Sequence, residues 1–126
     1  MNKRNYIADI ERILKERKKP IDLLNIVFGF LNFKPIEIKI YNILLKSSLT
    51  IKQIERQVNL SERTIRKYIK TLEQEGFINK RVKQDKRLKY VYNAVPIEKA
   101  WRNVRNKIDK ILEEITKIME RKAAIF

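Results

Sequence analysis

The chain has 126 residues, with 30 Lys and Arg against 15 Asp and Glu, a formal charge of +15, no Cys and no His. Without Cys there are no disulfides, thiol chemistry or Cys-zinc sites. Without His the commonest general base and metal ligand are gone, so a catalytic site would have to be built from Asp and Glu alone. A cationic excess this large destabilises a compact fold by self-repulsion unless a polyanion screens it, which points to nucleic acid, with an acidic membrane surface as the alternative.

A Lys-rich composition of the thermophile kind would raise Glu as well, and here Glu does not keep pace. The length suits one domain, and no internal repeat or low-complexity linker interrupts it. Residues 3–18 read as an amphipathic helix with Tyr6, Ile10, Ile13 and Leu14 on one face. The run Arg17-Lys18-Lys19-Pro20 ends it, because the residue before a proline is pushed out of the helical region. A short, very apolar and therefore buried helix follows from Asp22 through Phe28, stopped near Gly29. The apolar run Leu23–Leu31 is too short to span a membrane and no signal peptide is evident, so the expected location is cytoplasmic.

Pro35 suits the first position of the next helix, where its missing N–H costs nothing. Ile36, Ile40, Ile43 and Leu44 mark that helix's inward face. Thr50-x-x-Gln53 is a capping box opening a short helix through Val58. Asn59-Leu60 forms a turn, and Ser61 caps a helix that runs to Gly76, the expected left-handed residue at its end. The period then changes. Phe77–Val82 and Leu88–Val95 alternate and carry β-branched and aromatic residues, joined by Lys83-Gln84-Asp85-Lys86-Arg87, which predicts a hairpin. Pro96 begins a last helix that continues to about Met119.

Two short helices, a tight turn and a hairpin make a helix-turn-helix with a wing. Ile54 and Val58, Leu60 in the turn, and Ile65, Ile69 and Leu72 form one inward surface. The other face of the second helix carries Arg63, Arg66, Lys67 and Lys70, with Ser61 and Thr64 at its start. Arg can bind guanine O6 and N7 with two parallel bonds, while Lys, Ser and backbone N–H groups hold phosphates. An ordinary solvated face is the alternative for these cations. Against it, the acidic residues sit at the helix's far end (Glu73, Glu75). The hairpin also repeats the basic bias, with Lys80, Arg81, Lys83, Lys86, Arg87 and Lys89 against Asp85 alone. Glu62 could accept from a cytosine N4 or simply favour the helix start; the second reading is preferred. Tyr90 and Tyr92 could stack on bases, but packing is preferred for both.

The string LSERTIRKYIKTLEQEGFINK resembles the recognition helix and wing of MarR-like and TrmB-like winged-helix regulators of archaea. Leu60-Ser61, Thr64-Ile65, Ile69, Leu72 and Gly76-Phe77-Ile78 fall in the usual places. Residues 89–96 are similar to the TrmB-like wing as it enters its following helix. The stretch LLNIVFGFLNFKPIEIKIYNILLKS resembles the lead-in of the small crenarchaeal regulators of the Lrs type. The wing turn departs from the pattern in lacking Gly and Pro. No separate effector domain is expected after the last helix, so the resemblance does not carry over the sugar sensing of the longer TrmB proteins.

Residues 97–119 carry Ile97, Trp101, Val104, Ile108, Ile111, Ile115 and Ile118, spaced by alternating fours and threes as in a coiled coil. Burial on its own domain, pairing with residues 3–18, and a symmetric dimer all remain open, and the dimer is favoured. Trp101 reads as a packed anchor near that seam. The fold class that follows is mainly α with a small β-hairpin wing: a winged helix-turn-helix domain plus a long C-terminal coiled-coil dimerisation helix. Its expected parts are an N-terminal helix over residues 1–19 in the dimer interface, a DNA-binding domain over 20–95 and a dimerisation helix over 96–126. The expected function is a homodimeric regulator, not an enzyme. It would read a pseudo-palindrome in double-stranded DNA with recognition helix 62–75 and basic wing 80–89. A sequence-tolerant architectural protein and a protein-docking adaptor are the competing readings. Glu113-Glu114, the one adjacent carboxylate pair, sits beside cations and reads as a solvated ion-pair face. No cofactor or metal is expected. A small-molecule effector would fit between the dimer helix and the wing domain, but no residue demands one.

Overall fold

Prolines and capping side chains determine where most of the helices begin. A computed structural model describes residues 5–16 and 19–123. In chain order it contains α1 (Tyr6–Glu16), α2 (Pro20–Phe30), α3 (Pro35–Lys46), α4 (Ile51–Val58), α5 (Glu62–Gln74), β1 (Ile78–Gln84), β2 (Leu88–Ala94) and α6 (Ile97–Ala123). Pro20 and Pro35 each occupy a first turn, where the absent N–H has no partner to lose. The expected break at Arg17-Lys18 lies outside the described residues.

α2 ends at Phe30, one residue past Gly29 and so near the expected stop, and Asn32, at φ 71°, makes the left-handed exit. Gly29 is there for space. A Cβ at that position would lie 2.9 Å from Cε1 of Tyr6, whose ring packs edge-on against Phe30 as α1 crosses α2. On α1, Ile13 is buried, whereas Leu14, expected on the same face, is exposed.

The core is built around Phe28, whose ring lies 5.2 Å from those of Phe33 and Tyr41 and 4.9 Å from that of Phe77. Tyr41 is fully buried and its hydroxyl donates to the Val95 carbonyl at 2.9 Å. Burial pushes its phenol up to about 12, since the charged form would lose its water. Glu37 is also buried, and its carboxylate accepts from the Lys34 N–H at 2.9 Å, closing the first turn of α3. Neither residue was placed in the core by the spacing of the isoleucines.

β1 and β2 pair antiparallel from Ile78–Ala94 out to Gln84–Leu88. Lys83 and Gln84 therefore belong to the strand, and the tip shortens to Asp85-Lys86-Arg87. A two-bond bridge between Leu49 and Tyr92, at 2.9 and 2.8 Å, ties the segment before α4 to the base of this wing. Pro96 caps α6, its carbonyl accepting from Ala100, and the helix runs past Met119. α6 packs on α2 and buries Ala100 and Val104.

Candidate nucleic-acid interface

The start of α4 and the turn from α4 into α5 are both fixed by local polar residues. Thr50 accepts from the Gln53 N–H at 3.2 Å while Gln53 accepts from the Thr50 N–H at 2.9 Å. Asn59, at φ 57°, takes the left-handed position, a conformation that its short polar side chain tolerates. Ser61 then caps α5, accepting from the Thr64 N–H at 3.3 Å and donating its hydroxyl to the Thr64 Oγ1 at 2.9 Å. Ser61 and Thr64, both expected at the interface, are thus bound to each other in forming the helix start.

At the far end Gly76 has φ 84°, and the Phe77 N–H reaches back to the Leu72 carbonyl at 2.9 Å. This is the αL exit that ends a helix with its last carbonyls satisfied. α6 reinforces it. Asn103 donates to the Gly76 carbonyl at 2.7 Å, and Lys107 meets the Glu75 carboxylate at 2.9 Å.

With the ends fixed, Ile65, Ile69 and Leu72 are buried, and Arg63, Arg66, Lys67 and Lys70 are exposed on the opposite side. Arg66 has a local partner: its Nη2 and Nε both donate to the Glu62 Oε1, at 2.7 and 3.1 Å. That hydrogen bond raises the Arg66 pKa further above its ordinary value. Glu62 therefore does more than favour a helix start.

Every residue from Asn79 to Tyr90 is exposed. The strand register puts Arg81, Lys83 and Lys89 on one face of the wing, with Lys83 directly opposite Lys89. Arg81 donates to the Ser48 hydroxyl at 3.3 Å. Lys86 and Arg87 form the tip. Between the wing and the starts of α4 and α5 lies a groove of about 590 Å³, lined in part by Thr50, Lys52, Glu62, Arg66, Lys86, Arg87 and Lys89.

Lys52 is a cation that sequence reasoning missed. The signal was available: it follows the capping box on a helix whose inward residues are Ile51, Ile54 and Val58, so it has to face out. Tyr92 packs into the core as expected, but Tyr90 does not. Tyr90 is exposed, with the Lys80 ammonium 4.1 Å from its ring centroid, a cation–π contact that half-covers an aromatic surface.

On α6, Val104 is fully buried against its own chain and Ile97 and Ile108 are half-buried. Val104, expected in the dimer seam, is thereby consumed by the core. Trp101, Ile111, Leu112, Ile115, Ile118 and Met119 remain exposed. Among the described residues no acidic cluster could hold a metal ion, and no helix is long and apolar enough to cross a membrane.

A family model described as "Sugar-specific transcriptional regulator TrmB" matches residues 28–98, more than half of the chain. No curated protein matches the chain in sequence. Among solved structures it is similar to a possible transcriptional regulator from Methanosarcina mazei Go1, with a TM-score of 0.65 at 9% identity over 75% of this chain and 83% of that one. A mutant of MepR from S. aureus, bound to an oligodeoxyribonucleotide, gives 0.52 at 15% identity over 98% and 94%. The transcriptional regulator BldR from Sulfolobus solfataricus gives 0.50 at 17% over 91% and 94%. At these identities the structural likeness establishes the winged-helix fold, in agreement with the resemblance read from residues 60–80.

Proposed function

Since the chain belongs to the TrmB family of transcriptional regulators, which are DNA-binding proteins and not enzymes, we propose that it acts as a homodimer that places α5 in the major groove of a pseudo-palindromic duplex and lays its wing along the backbone. The observation that carries this reading is the exposure of cations on both α5 and the wing that follows it. Arg63, Lys67 and Lys70 on α5 and Arg81, Lys83, Lys86, Arg87 and Lys89 on the wing are all exposed, while the apolar side of α5 is buried. The Lys83–Lys89 pair adds a specific argument. Like charges opposed across two strands are destabilising, and a phosphate beside them removes that cost. The groove between wing and helices gives a sugar–phosphate strand a lined path, with Lys52 and Lys86 on its two sides. The MepR mutant, similar in fold, is bound to an oligodeoxyribonucleotide, which supports DNA as the partner.

Homodimerisation is supported by α6, whose exposed isoleucines continue at coiled-coil spacing beyond the part that its own domain covers. Two copies would offer two recognition helices to successive major grooves. The test is duplex binding by fluorescence anisotropy, comparing a sequence selected from a random library with its scrambled counterpart across a salt series. A regulator prefers the selected duplex by ~10³ or more at physiological salt. Near parity would favour the architectural reading, to which the spread of wing cations lends itself. The double variant Arg63→Ala, Lys67→Ala should weaken binding by at least about tenfold and flatten the salt dependence. Unchanged binding would move the DNA surface elsewhere, and no duplex binding at all would leave the docking adaptor as the better reading.

A further inference from the structure

We propose that Glu62 is a positioning residue that holds Arg66 for recognition of a guanine in the bound duplex. The inference rests on the reading of α5 as the recognition helix and concerns what one of its cations does there. Among the described residues Arg63, Lys67 and Lys70 have no side-chain hydrogen bond or ion pair, so Arg66 alone of the four exposed cations of α5 is held.

The manner of holding matters. Glu62 takes the side edge of the guanidinium, the one formed by Nε–H and one Nη2–H. The end edge, formed by Nη1–H and the other Nη2–H, is left free. Those two parallel donors are the fork that fits the O6 and N7 acceptors of guanine. An exposed ion pair one helical turn apart contributes little to folding, so stability is a poor reason for it. In the groove, where water is displaced, it restricts a long, rotamer-rich side chain to the plane that a base edge requires.

The placement of Glu62 is the second argument. It lines the same groove as Lys52, Lys86, Arg87 and Lys89, where a carboxylate repels phosphate. A surface that gripped only the backbone would gain from losing it. Phosphate contacts need charge but no fixed orientation, whereas base contacts need orientation. Glu62 lowers the first and supplies the second. The Ser61 cap fixes the turn from which Glu62 reaches, one residue into the helix.

The experiment takes a duplex selected by the full-length protein from a random library and replaces its guanines singly with 7-deazaguanine, which lacks the N7 acceptor. Kd is measured at one salt concentration for the wild type, Arg66→Ala, Glu62→Ala and Glu62→Gln, with thermal melts confirming equal folding. The wild type should lose about tenfold at one guanine of each half-site. Arg66→Ala should be insensitive there. Glu62→Ala should lose most of the guanine dependence, while Glu62→Gln, whose amide oxygen still accepts, should keep most of it. Both Glu62 variants should bind scrambled DNA more tightly, which separates charge from positioning.

The inference is overturned if Glu62→Ala keeps the full 7-deazaguanine penalty. It is also overturned if Arg66→Ala weakens all duplexes equally and lowers the salt slope by about one, the signature of a phosphate contact. The DNA reading itself fails differently, and takes this inference with it: no duplex is retained at all, or binding survives loss of Arg63 and Lys67.

Discussion

Isoleucine recurs at helical spacing both in α5 and in the distal half of α6, and meets opposite surroundings. Ile65 and Ile69 are 0% and 3% exposed, while Ile111, Ile115 and Ile118 are 47%, 45% and 47% exposed. The covering groups for α5 come from its own chain: Ile54, Leu72 and Phe77 belong to the same buried cluster. Beyond Ile108 the α6 isoleucines keep nearly half their surface in water, and a contiguous apolar stripe of that kind marks an interaction surface. Hydrophobic periodicity thus reports that a face is to be covered. What covers it depends on where the chain brings the rest of itself.

The largest expected effect breaks this contrast from the α6 side. Ile111→Lys combined with Ile115→Lys should convert a dimer to a monomer in sedimentation velocity. Because two half-sites then bind independently, affinity for a full palindromic duplex should fall by roughly 10²–10⁴. Affinity for a single half-site should barely change. A variant that stays dimeric would place the partner surface elsewhere on the molecule.

The α5 side gives a smaller effect of a different kind. Ile69→Ala opens a cavity in a filled core and should cost about 2–5 kcal/mol of unfolding free energy. That loss should be the same at any protein concentration, because the neighbours of Ile69 are in its own chain. Ile115→Ala should instead give a loss that shrinks as the protein is diluted, because in the proposed homodimer its neighbours come from the partner and the wild type loses that stabilisation too. Urea titrations at two protein concentrations a hundredfold apart distinguish these behaviours. A concentration-dependent Ile69→Ala, or a concentration-independent Ile115→Ala, would overturn the division.

The residues that made the fold legible are those whose chemistry acts locally. The Thr50/Gln53 box, the Ser61 cap, Gly76 and the prolines act within one turn of their own position, so sequence fixes their roles without knowledge of the rest. Gly29 marked the end of α2 to within a residue, but a glycine has two physical uses, ending a helix or admitting a neighbour. The second requires knowing that Tyr6 crosses at that point. Val104 misled for a related reason. It continues the α6 stripe without a break, and only the docking of α6 on α2 reveals that this part of the stripe is covered by its own domain.

Tyr41 and Tyr90 show the same limit for side chains with an apolar body and a polar tip. One finds the Val95 carbonyl in the interior and the other finds Lys80 on the wing, both partners distant or cross-strand. At the candidate site the cations were legible from their number and spacing. The Glu62–Arg66 pair was legible as a spacing of four, but its side-edge geometry was not.

The smallest expected effect concerns the junction of the two regions. Lys107 on α6 meets Glu75 at the end of α5 at 2.9 Å, with the two side chains 38% and 39% exposed. The Lys107 ammonium also lies 5.7 Å from the Phe33 ring centroid. A pair this open to water contributes between about 0.2 and 1 kcal/mol, and salt screens it. Lys107→Ala should therefore lower stability by less than about 1 kcal/mol, and by nearly nothing in 1 M salt, measured by urea unfolding. Asn103, one turn earlier, still donates to the Gly76 carbonyl and holds the helix end in place. A salt-insensitive loss of more than about 2 kcal/mol would mean that the ion pair is part of a desolvated joint. α5 and the exposed stripe would then be mechanically one element, and a partner gripping α6 would directly set the angle of α5.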